Sequence, residues 1–160
     1  MQEHLIIDGN NALFAIPDLA REMEIDRERA RESLLLFLEP LGKLGNDLLT
    51  VVFDGKGGPQ KILKHKGMDH YSIIYSSSVD GADGVIEKML MNAKHPERIV
   101  VVTNDGLIRN CAYANGSTAM RVEEIFKRLD HVIESSNSIR NKSKTSDLYP
   151  DFENKIPFPD

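Results

Sequence analysis

The sequence predicts an α/β protein with a mainly parallel central sheet of about five strands. Three apolar runs of strand length, at residues 5–7, 48–53 and 99–103, are each followed within two residues by an aspartate. Short apolar runs closed by turn residues are typical of strands buried on both faces. A helical pattern separates the first two runs, and the order strand, helix, strand indicates a parallel βαβ unit.

Length and composition fit one domain. The chain has 160 residues, of which 41% are apolar and 28% are charged, and that length is enough to bury a core. No apolar run approaches the roughly 20 residues that a membrane-spanning helix needs. Because no charged-then-apolar signal pattern opens the sequence, we expect a cytoplasmic protein that binds no membrane.

The charge balance limits the kinds of partner. The net charge of −5 argues against a protein dedicated to duplex binding, which would normally be basic overall. A nuclease remains open, because metal-holding carboxylates lower the net charge while local Lys and Arg contact phosphate. Such basic residues cluster in segments 56–66 and 121–128. Cys111 is the single cysteine, and without a His pairing motif it is interpreted as a packed thiol.

The first half of the chain contains one well-marked helix. After the first strand, residues 12–16 are apolar and Pro17 interrupts them. The helix is predicted to begin near Asp26, which can act as its N-cap, with Glu28 in the first turn. An apolar stripe at helical spacing then runs along residues 30–41.

Segment 55–66 combines glycine and lysine, and its basic part is predicted to be weakly helical. The glycines beside Lys56 do not show the order of Gly, Lys and Ser or Thr that forms a nucleotide-binding P-loop. The glycine-rich part is interpreted either as a mobile loop that contacts substrate phosphate or as an ordinary solvated loop.

The second half of the chain alternates strands and helices. Strands are predicted at residues 71–75, 99–103 and 118–122, and helices at residues 82–90, 107–114 and 123–129. From residue 135 the sequence is rich in Ser, Asn, Lys and Pro and too poor in aliphatic residues to bury much. We therefore expect a domain over residues 1–134 and a polar, mostly disordered tail over residues 135–160.

Carboxylates follow the predicted strands at the edge where open α/β sheets bind ligands. Asp8, Asp54 and Asp105 end three strands, and Asp83 opens a helix. At about 4 Å and an effective dielectric near 20, each pair of like charges costs about 4 kcal/mol, so either some carboxylates are protonated or a divalent cation neutralises them. All-oxygen ligands favour Mg²⁺ or Mn²⁺, and such an ion can activate water for in-line displacement at phosphorus. The predicted chemistry is hydrolysis of a phosphodiester.

Each of these carboxylates also has an ordinary structural interpretation. Asp8 and Asp105 can be turn residues, and Asp83 can act as a favourable charge at the start of its helix. Asp54 is as consistent with an Asp-Gly turn as with a metal ligand.

Two further side chains are candidates for supporting roles. Glu87 lies four residues after Asp83 on the same helix face, where it either assists the site or pairs with a neighbouring cation. Asn11 either orients Asp8 or binds a metal-bound water, and the alternative is a local Asx turn. Asp80 is interpreted as a loop residue.

Four short motifs in the chain are similar to motifs of a known family. They are Ile-Asp-Gly-Asn-Asn at 7–11, Val-Val-Phe-Asp-Gly at 51–55, Ala-Asp-Gly-Val-Ile-Glu at 82–87 and Val-Val-Thr-Asn-Asp at 101–105. In this order and spacing they resemble the NYN-domain nucleases of the PIN-like fold, and within them the YacP-type RNA-binding or endoribonuclease proteins. The resemblance covers residues 5–129, and residues 116–120 match the family's Gly-Ala strand start.

The resemblance implies a three-layer α/β/α fold of the PIN-like kind and Mg²⁺- or Mn²⁺-dependent cleavage of single-stranded RNA. By this resemblance Asp8, Asp83 and Asp105 are the catalytic, metal-binding residues, with Asn11 and Asp54 alongside. The implied partner is single-stranded RNA, such as mRNA or the loops of structured RNA.

The chain departs from the family motifs at three positions. Asn10 stands in place of an aromatic residue, Asn104 in place of Ser, and Gly106 in place of a basic or polar residue. The loss of a side chain at Gly106 removes a possible phosphate contact, which bears on RNA affinity more than on metal binding.

The leading hypothesis is a metal-dependent endoribonuclease. Candidates for contacts with the RNA backbone are Lys56, Lys61, Lys64 and Arg109, although Arg109 can also be a solvated helix residue. The alternative is a catalytically inactive NYN-type RNA- or protein-binding module with the same fold. A phosphatase of the haloacid-dehalogenase kind fits poorly, because it needs a second Asp where this chain has Asn10.

Overall fold

The computed structural model describes residues 2–140, which form a six-stranded sheet with helices on both faces. The strands are β1 (His4–Asp8), β2 (Leu48–Phe53), β3 (Lys61–Lys64), β4 (Tyr71–Tyr75), β5 (Ile99–Val102) and β6 (Thr118–Met120). Their order across the sheet is β3-β4-β2-β1-β5-β6. Neighbouring strands are parallel except at one edge, where β3 runs antiparallel to β4. The predicted α/β class with a mainly parallel sheet is confirmed, with six strands rather than about five.

Seven α-helices lie within the described residues, and they cover both faces of the sheet. They are α1 (Gly9–Ala15), α2 (Pro17–Ile25), α3 (Arg27–Phe37), α4 (Glu39–Lys43), α5 (Gly81–Met91), α6 (Gly106–Ala114) and α7 (Ile125–Arg140). Because side chains alternate along a strand, Leu5 and Ile7 of β1 pack in a core with residues of α1 to α4 and α7. Ile6 packs in a second core with α5 and α6. The layers are therefore helix, sheet and helix.

The segment between β1 and α3 forms two helices that were not predicted from the sequence. Asp8 accepts a hydrogen bond from the backbone N–H of Asn11, so the Asp-Gly pair begins α1 instead of forming a turn. Pro17 occupies the first position of α2, where its missing N–H has no helical partner to lose. Asp26 caps α3 as predicted and accepts from the N–H of Arg29 at 3.2 Å.

Residues 61–64 were predicted to be weakly helical, and that prediction is wrong. They form β3, an exposed edge strand paired with β4. Its backbone hydrogen bonds to β4 outweigh a weak local helix preference, because strand pairing depends on the neighbouring chain segment. The lysines at both ends of β3 keep this edge charged, which disfavours pairing with other chains.

The last helix extends beyond its predicted end at residue 129. It continues to Arg140 and so includes the first residues of the segment that was predicted to be a tail. The remainder of that predicted tail, residues 141–160, lies outside the described residues. Within residues 2–140, no helix has the length and apolar character needed to cross a membrane.

The strand register sets the position of the acidic residues. Ile7 of β1 lies opposite Val102 of β5, and Asp8 lies opposite Val52 of β2. The residues at and just after the ends of these parallel strands therefore share one edge of the sheet. Asp8, Asp54 and Asp105 all lie at this edge, as the sequence predicts, because parallel strands place their carboxyl ends on the same side.

Candidate functional site

Asp8, Asp54 and Asp105 lie where the parallel strands end, and Asp83 lies beside them; this side of the sheet is called the acidic edge. Asp8 is its buried residue. It is the last residue of β1, and only 4% of its surface is exposed. One carboxylate oxygen accepts the N-capping bond from the N–H of Asn11 at 3.4 Å. The other accepts a hydrogen bond from the hydroxyl of Thr103 at 2.9 Å. Both oxygens are thus oriented by the protein.

Thr103 joins two of the candidate acidic residues and was not predicted as a site residue. Its side chain is fully buried, and its hydroxyl both donates to Asp8 and accepts from the backbone N–H of Asp105 at 3.0 Å. A hydroxyl can donate one hydrogen bond and accept others, so it suits this central position. The available sequence signal was a single polar residue at the end of an otherwise apolar strand run.

Asp105 begins α6 as its N-cap. Its carboxylate accepts from the N–H of Leu107 at 2.9 Å, and the side chain is half-buried. Asp105 is therefore a helix cap and not the simple turn residue that was its alternative interpretation, and its role as a metal ligand stays a prediction. Capping uses one oxygen, Oδ1, and this fixes the carboxylate at the carboxyl edge of the sheet.

Asp83 and Glu87 lie on α5 next to the same edge. Both residues are exposed, and Asp83 stands in the first turn of the helix. Partial desolvation raises the pKa of the Asp83 carboxyl group, and repulsion from Asp105, Asp54 and Glu87 raises it further. The structure thus brings these four carboxylates into one electrostatic environment.

The same repulsion reaches Asp8. Burial raises the pKa of Asp8 from its ordinary 3.8 to about 6, and the negative charges of Asp83 and Asp105 add to the increase. Hydrogen bonds from Thr103 and Asn11 act in the opposite direction. An ionised Asp8 is therefore held in an unfavourable environment, which a bound cation would relieve.

These carboxylates do not form a closed cage. Among residues 2–140, no three His, Cys, Asp or Glu side chains are grouped closely enough to hold a metal ion between them. Asp8, Asp83 and Asp105 come from β1, α5 and the start of α6, and they affect one another through charge. The metal-ligand roles assigned to these three residues remain predictions.

Asp54 holds the start of α5. Its carboxylate accepts from the backbone N–H of Ala82 at 2.8 Å and from the side-chain amide of Asn10. Gly81, just before this contact, has a φ of +69° that a side chain would disfavour. Asp54 therefore anchors the helix turn that carries Asp83.

Asn11 fixes the connection between β5 and α6. Its side-chain oxygen accepts from the backbone N–H of Asn104 at 2.7 Å. The Asn104 side chain in turn accepts from the N–H of Val122 at 2.8 Å and donates to Glu123 at 3.1 Å. Asn11 thus orients the loop that leads to Asp105, and its side chain makes a long-range contact in addition to the local backbone bond to Asp8.

The candidate RNA-binding cations occupy different surroundings. Arg109 lies at the acidic edge, where its guanidinium group is 3.4 Å from the backbone carbonyl of Thr103. Lys64 pairs with Asp69 at 3.0 Å on the outer strand. Lys56 and Lys61 line a cavity of about 240 Å³ beside the acidic edge. Other residues of that cavity wall are Glu28, Arg31, Tyr75 and Ser76.

Comparisons with known proteins agree with this architecture. The model of the YacP-like NYN domain family matches residues 5–157. The fold is similar to a crystal structure of a mutant of Rae1 (YacP) from Bacillus subtilis, with a TM-score of 0.69 and 21% identity over 90% of this chain and 84% of that chain. A second structure of Rae1 (YacP) from Bacillus subtilis gives a TM-score of 0.65 and 18% identity, over 97% of this chain and 88% of that chain. At this identity the likeness shows a shared fold. None of the curated proteins matches the chain.

Proposed function

Because the chain belongs to the YacP-like NYN domain family, we propose that it is a cytoplasmic, metal-dependent endoribonuclease. Membership of this family indicates a nuclease-type, RNA-related function. The finer proposal is that the protein hydrolyses phosphodiester bonds in single-stranded RNA, such as mRNA or the loops of structured RNA. The observation that carries it is the hydrogen-bonded link from Asp8 through Thr103 to Asp105 at the carboxyl edge of the sheet.

The residues at this edge have the ligand chemistry of a divalent-cation site, but within residues 2–140 no three such side chains stand close enough to enclose an ion, so a bound cation would have to draw them together. They offer carboxylate oxygens, which suit Mg²⁺ or Mn²⁺, and the raised pKa of about 6 at buried Asp8 reflects burial and negative charge that a cation would offset. Asp8, Asp83 and Asp105 would hold the ion. When bound, it would neutralise charge on the phosphate and lower the pKa of a water molecule.

The protein's own residues would hold these groups and the RNA strand in place. Thr103 keeps the Asp8 carboxylate oriented, and Asp54 keeps the first turn of α5 in position for Asp83. Glu87 adds negative charge on the same helix. Arg109, whose guanidinium group lies at the carbonyl of Thr103, would contact a phosphate near the acidic edge.

The test is cleavage of a labelled single-stranded RNA in Mn²⁺, in Mg²⁺ and in EDTA, for the wild type and for Asp8→Asn. We expect cleavage with metal, none in EDTA, and a loss of about 100-fold or more in the variant. The matched control is Asp80→Asn, which removes the same charge near the start of α5 from a side chain that pairs with Lys88. Activity that persists in EDTA or in Asp8→Asn would refute the proposal. RNA binding without cleavage in any metal would support the inactive binding module instead.

A further inference from the structure

The cavity beside the acidic edge begins one residue after Asp54. Gly55 lies in its wall, and Arg31 donates a hydrogen bond to the backbone carbonyl of Asp54 at 3.1 Å. Two backbone segments pack closely here, since a Cβ atom on Gly55 would lie 1.9 Å from the carbonyl oxygen of Ser76. The cavity therefore lies directly next to the residue that anchors α5.

Arg31 is a buried cation with incomplete hydrogen bonding. It is 5% exposed, and its guanidinium carbon lies 5.1 Å from the ring centre of Phe53 and 5.9 Å from that of Tyr75. Its Nε is one of the buried side-chain atoms of the described region that have no hydrogen-bond partner. A buried charge without a close opposite charge is unfavourable, so the guanidinium group would gain from an anion beside it.

Glu28 partly supplies that anion. One of its carboxylate oxygens lies 3.0 Å from Lys56 Nζ and 3.6 Å from Arg31 Nη1, although the Glu28 side chain is 54% exposed. The longer distance exceeds that of a hydrogen bond. Lys61 is a third cation in the wall. Three cations and one partly exposed carboxylate thus line the same cavity, and two of the cations lie within 3.6 Å of that carboxylate, a composition suited to a phosphate group.

We propose that this cavity binds a phosphate of the RNA strand that flanks the bond to be cut, and that Glu28 occupies the phosphate position in the free protein. This inference rests on the proposed function for the identity of the ligand. A base is a poorer fit, because Phe53 and Arg31 already pack against the Tyr75 ring. A phosphate oxygen instead matches the place that the Glu28 oxygen occupies between Lys56 and Arg31.

The test is the affinity for a fluorescent single-stranded RNA in EDTA, where binding is measured without cleavage. Lys61→Ala is expected to weaken RNA binding about three- to tenfold. It should also reduce by about one the slope of the logarithm of the binding constant against the logarithm of the salt concentration. The matched control Lys94→Ala removes the same charge beyond the carboxyl end of α5, on the side of the sheet where the parallel strands begin. It should change the RNA affinity by less than about twofold. Equal effects of the two variants would overturn the inference.

Glu28→Gln separates this site from general charge effects. It removes the competing carboxylate and leaves buried Arg31 in place, so we expect the variant to bind RNA about threefold or more tighter than the wild type. The matched control Glu97→Gln removes the same charge just before β5 and should tighten RNA binding by less than about half of that factor. Unchanged or weaker binding by Glu28→Gln would overturn the inference. Tighter binding of inorganic phosphate alone, without any change for RNA, would also overturn it.

The two proposals can fail independently. If the wild type cleaves RNA while Glu28→Gln binds RNA like the wild type, only the cavity inference fails. If no metal supports cleavage while the RNA affinities shift as expected, only the nuclease proposal fails.

Discussion

The hydroxyl of Thr103 donates a hydrogen bond to the carboxylate of Asp8 across 2.9 Å and so joins the end of β5 to the end of β1. The same hydroxyl accepts from the backbone N–H of Asp105. One buried side chain therefore sets the relative positions of two carboxylates that are far apart in sequence. Thr103 is a positioning residue in the proposed enzyme, since it acts through Asp8 and Asp105.

Replacing Thr103 by Val keeps the shape and removes the hydroxyl. We expect a loss of about 1–3 kcal/mol in the free energy of unfolding, because a buried acceptor and a buried donor lose their partner. Burial raises the pKa of Asp8 and the Thr103 hydrogen bond opposes that increase, so the variant should show a higher Asp8 pKa. A ¹³C NMR titration of the carboxyl groups in EDTA and urea unfolding measure the two effects. Thr103→Ser retains the hydroxyl and should restore the pKa; a Ser variant that behaves like Val would contradict this role.

Asp8→Asn should stabilise the metal-free protein at neutral pH. The pKa of Asp8 is raised to about 6 in the folded protein, so ionising the group disfavours the fold above that pH. The penalty shrinks as the pH falls below about 6 and vanishes only below the ordinary pKa of 3.8, where both folded and unfolded forms are protonated. We expect the variant to be more stable by on the order of 1–3 kcal/mol at about pH 7.5 and to differ from the wild type by less than about 1 kcal/mol near pH 4. Urea unfolding in EDTA at both pH values measures this, and a variant that is less stable at the higher pH would show that ionised Asp8 carries no penalty.

Asp54 is expected to act mainly through the position of α5. Asp54→Ala removes the acceptor for the N–H of Ala82 and should lower stability by about 0.5–2 kcal/mol, as the loss of a helix cap does. Asp54→Asn keeps an acceptor oxygen and should lose less stability. In the cleavage assay at saturating Mn²⁺, Asp54→Asn should retain activity and Asp83→Asn should lose it. Equal losses in the two Asn variants would instead indicate that Asp54 is itself a metal ligand.

Glu39, the first residue of α4, gives a second pH-dependent contribution to stability. Burial alone would raise the pKa of Glu39, but hydrogen bonds from His65, Lys66 and Lys43 outweigh it and lower the pKa to about 2. A lowered pKa stabilises the fold at pH values above the unfolded pKa, and this contribution is lost as the pH falls towards about 2. Glu39→Gln should therefore cost about 1–3 kcal/mol near pH 7. The difference from the wild type should shrink steadily below about pH 4.5, and a constant difference across that range in urea unfolding would contradict the ionic origin.

Local signals in the sequence were sufficient for several elements. The strands β2 and β4 and the Asp26 cap of α3 were predicted correctly, because a buried strand requires an apolar run in the sequence and a helix cap involves only the next few residues. The edge strand β3 was missed because its conformation depends on pairing with β4. The helices α1 and α2 were missed because Asp-Gly and Pro are also common turn residues.

The sequence by itself determined the α/β class and the gathering of aspartates at one edge, since buried parallel strands require continuous apolar runs and end on the same side. Only the tertiary structure decided what each aspartate contacts. It assigned Asp54 to the start of α5, placed Thr103 between Asp8 and Asp105, and set Arg31 beneath a cavity next to Asp54. These contacts join residues far apart in the chain, and their distances follow from strand register and helix packing, which no local pattern specifies.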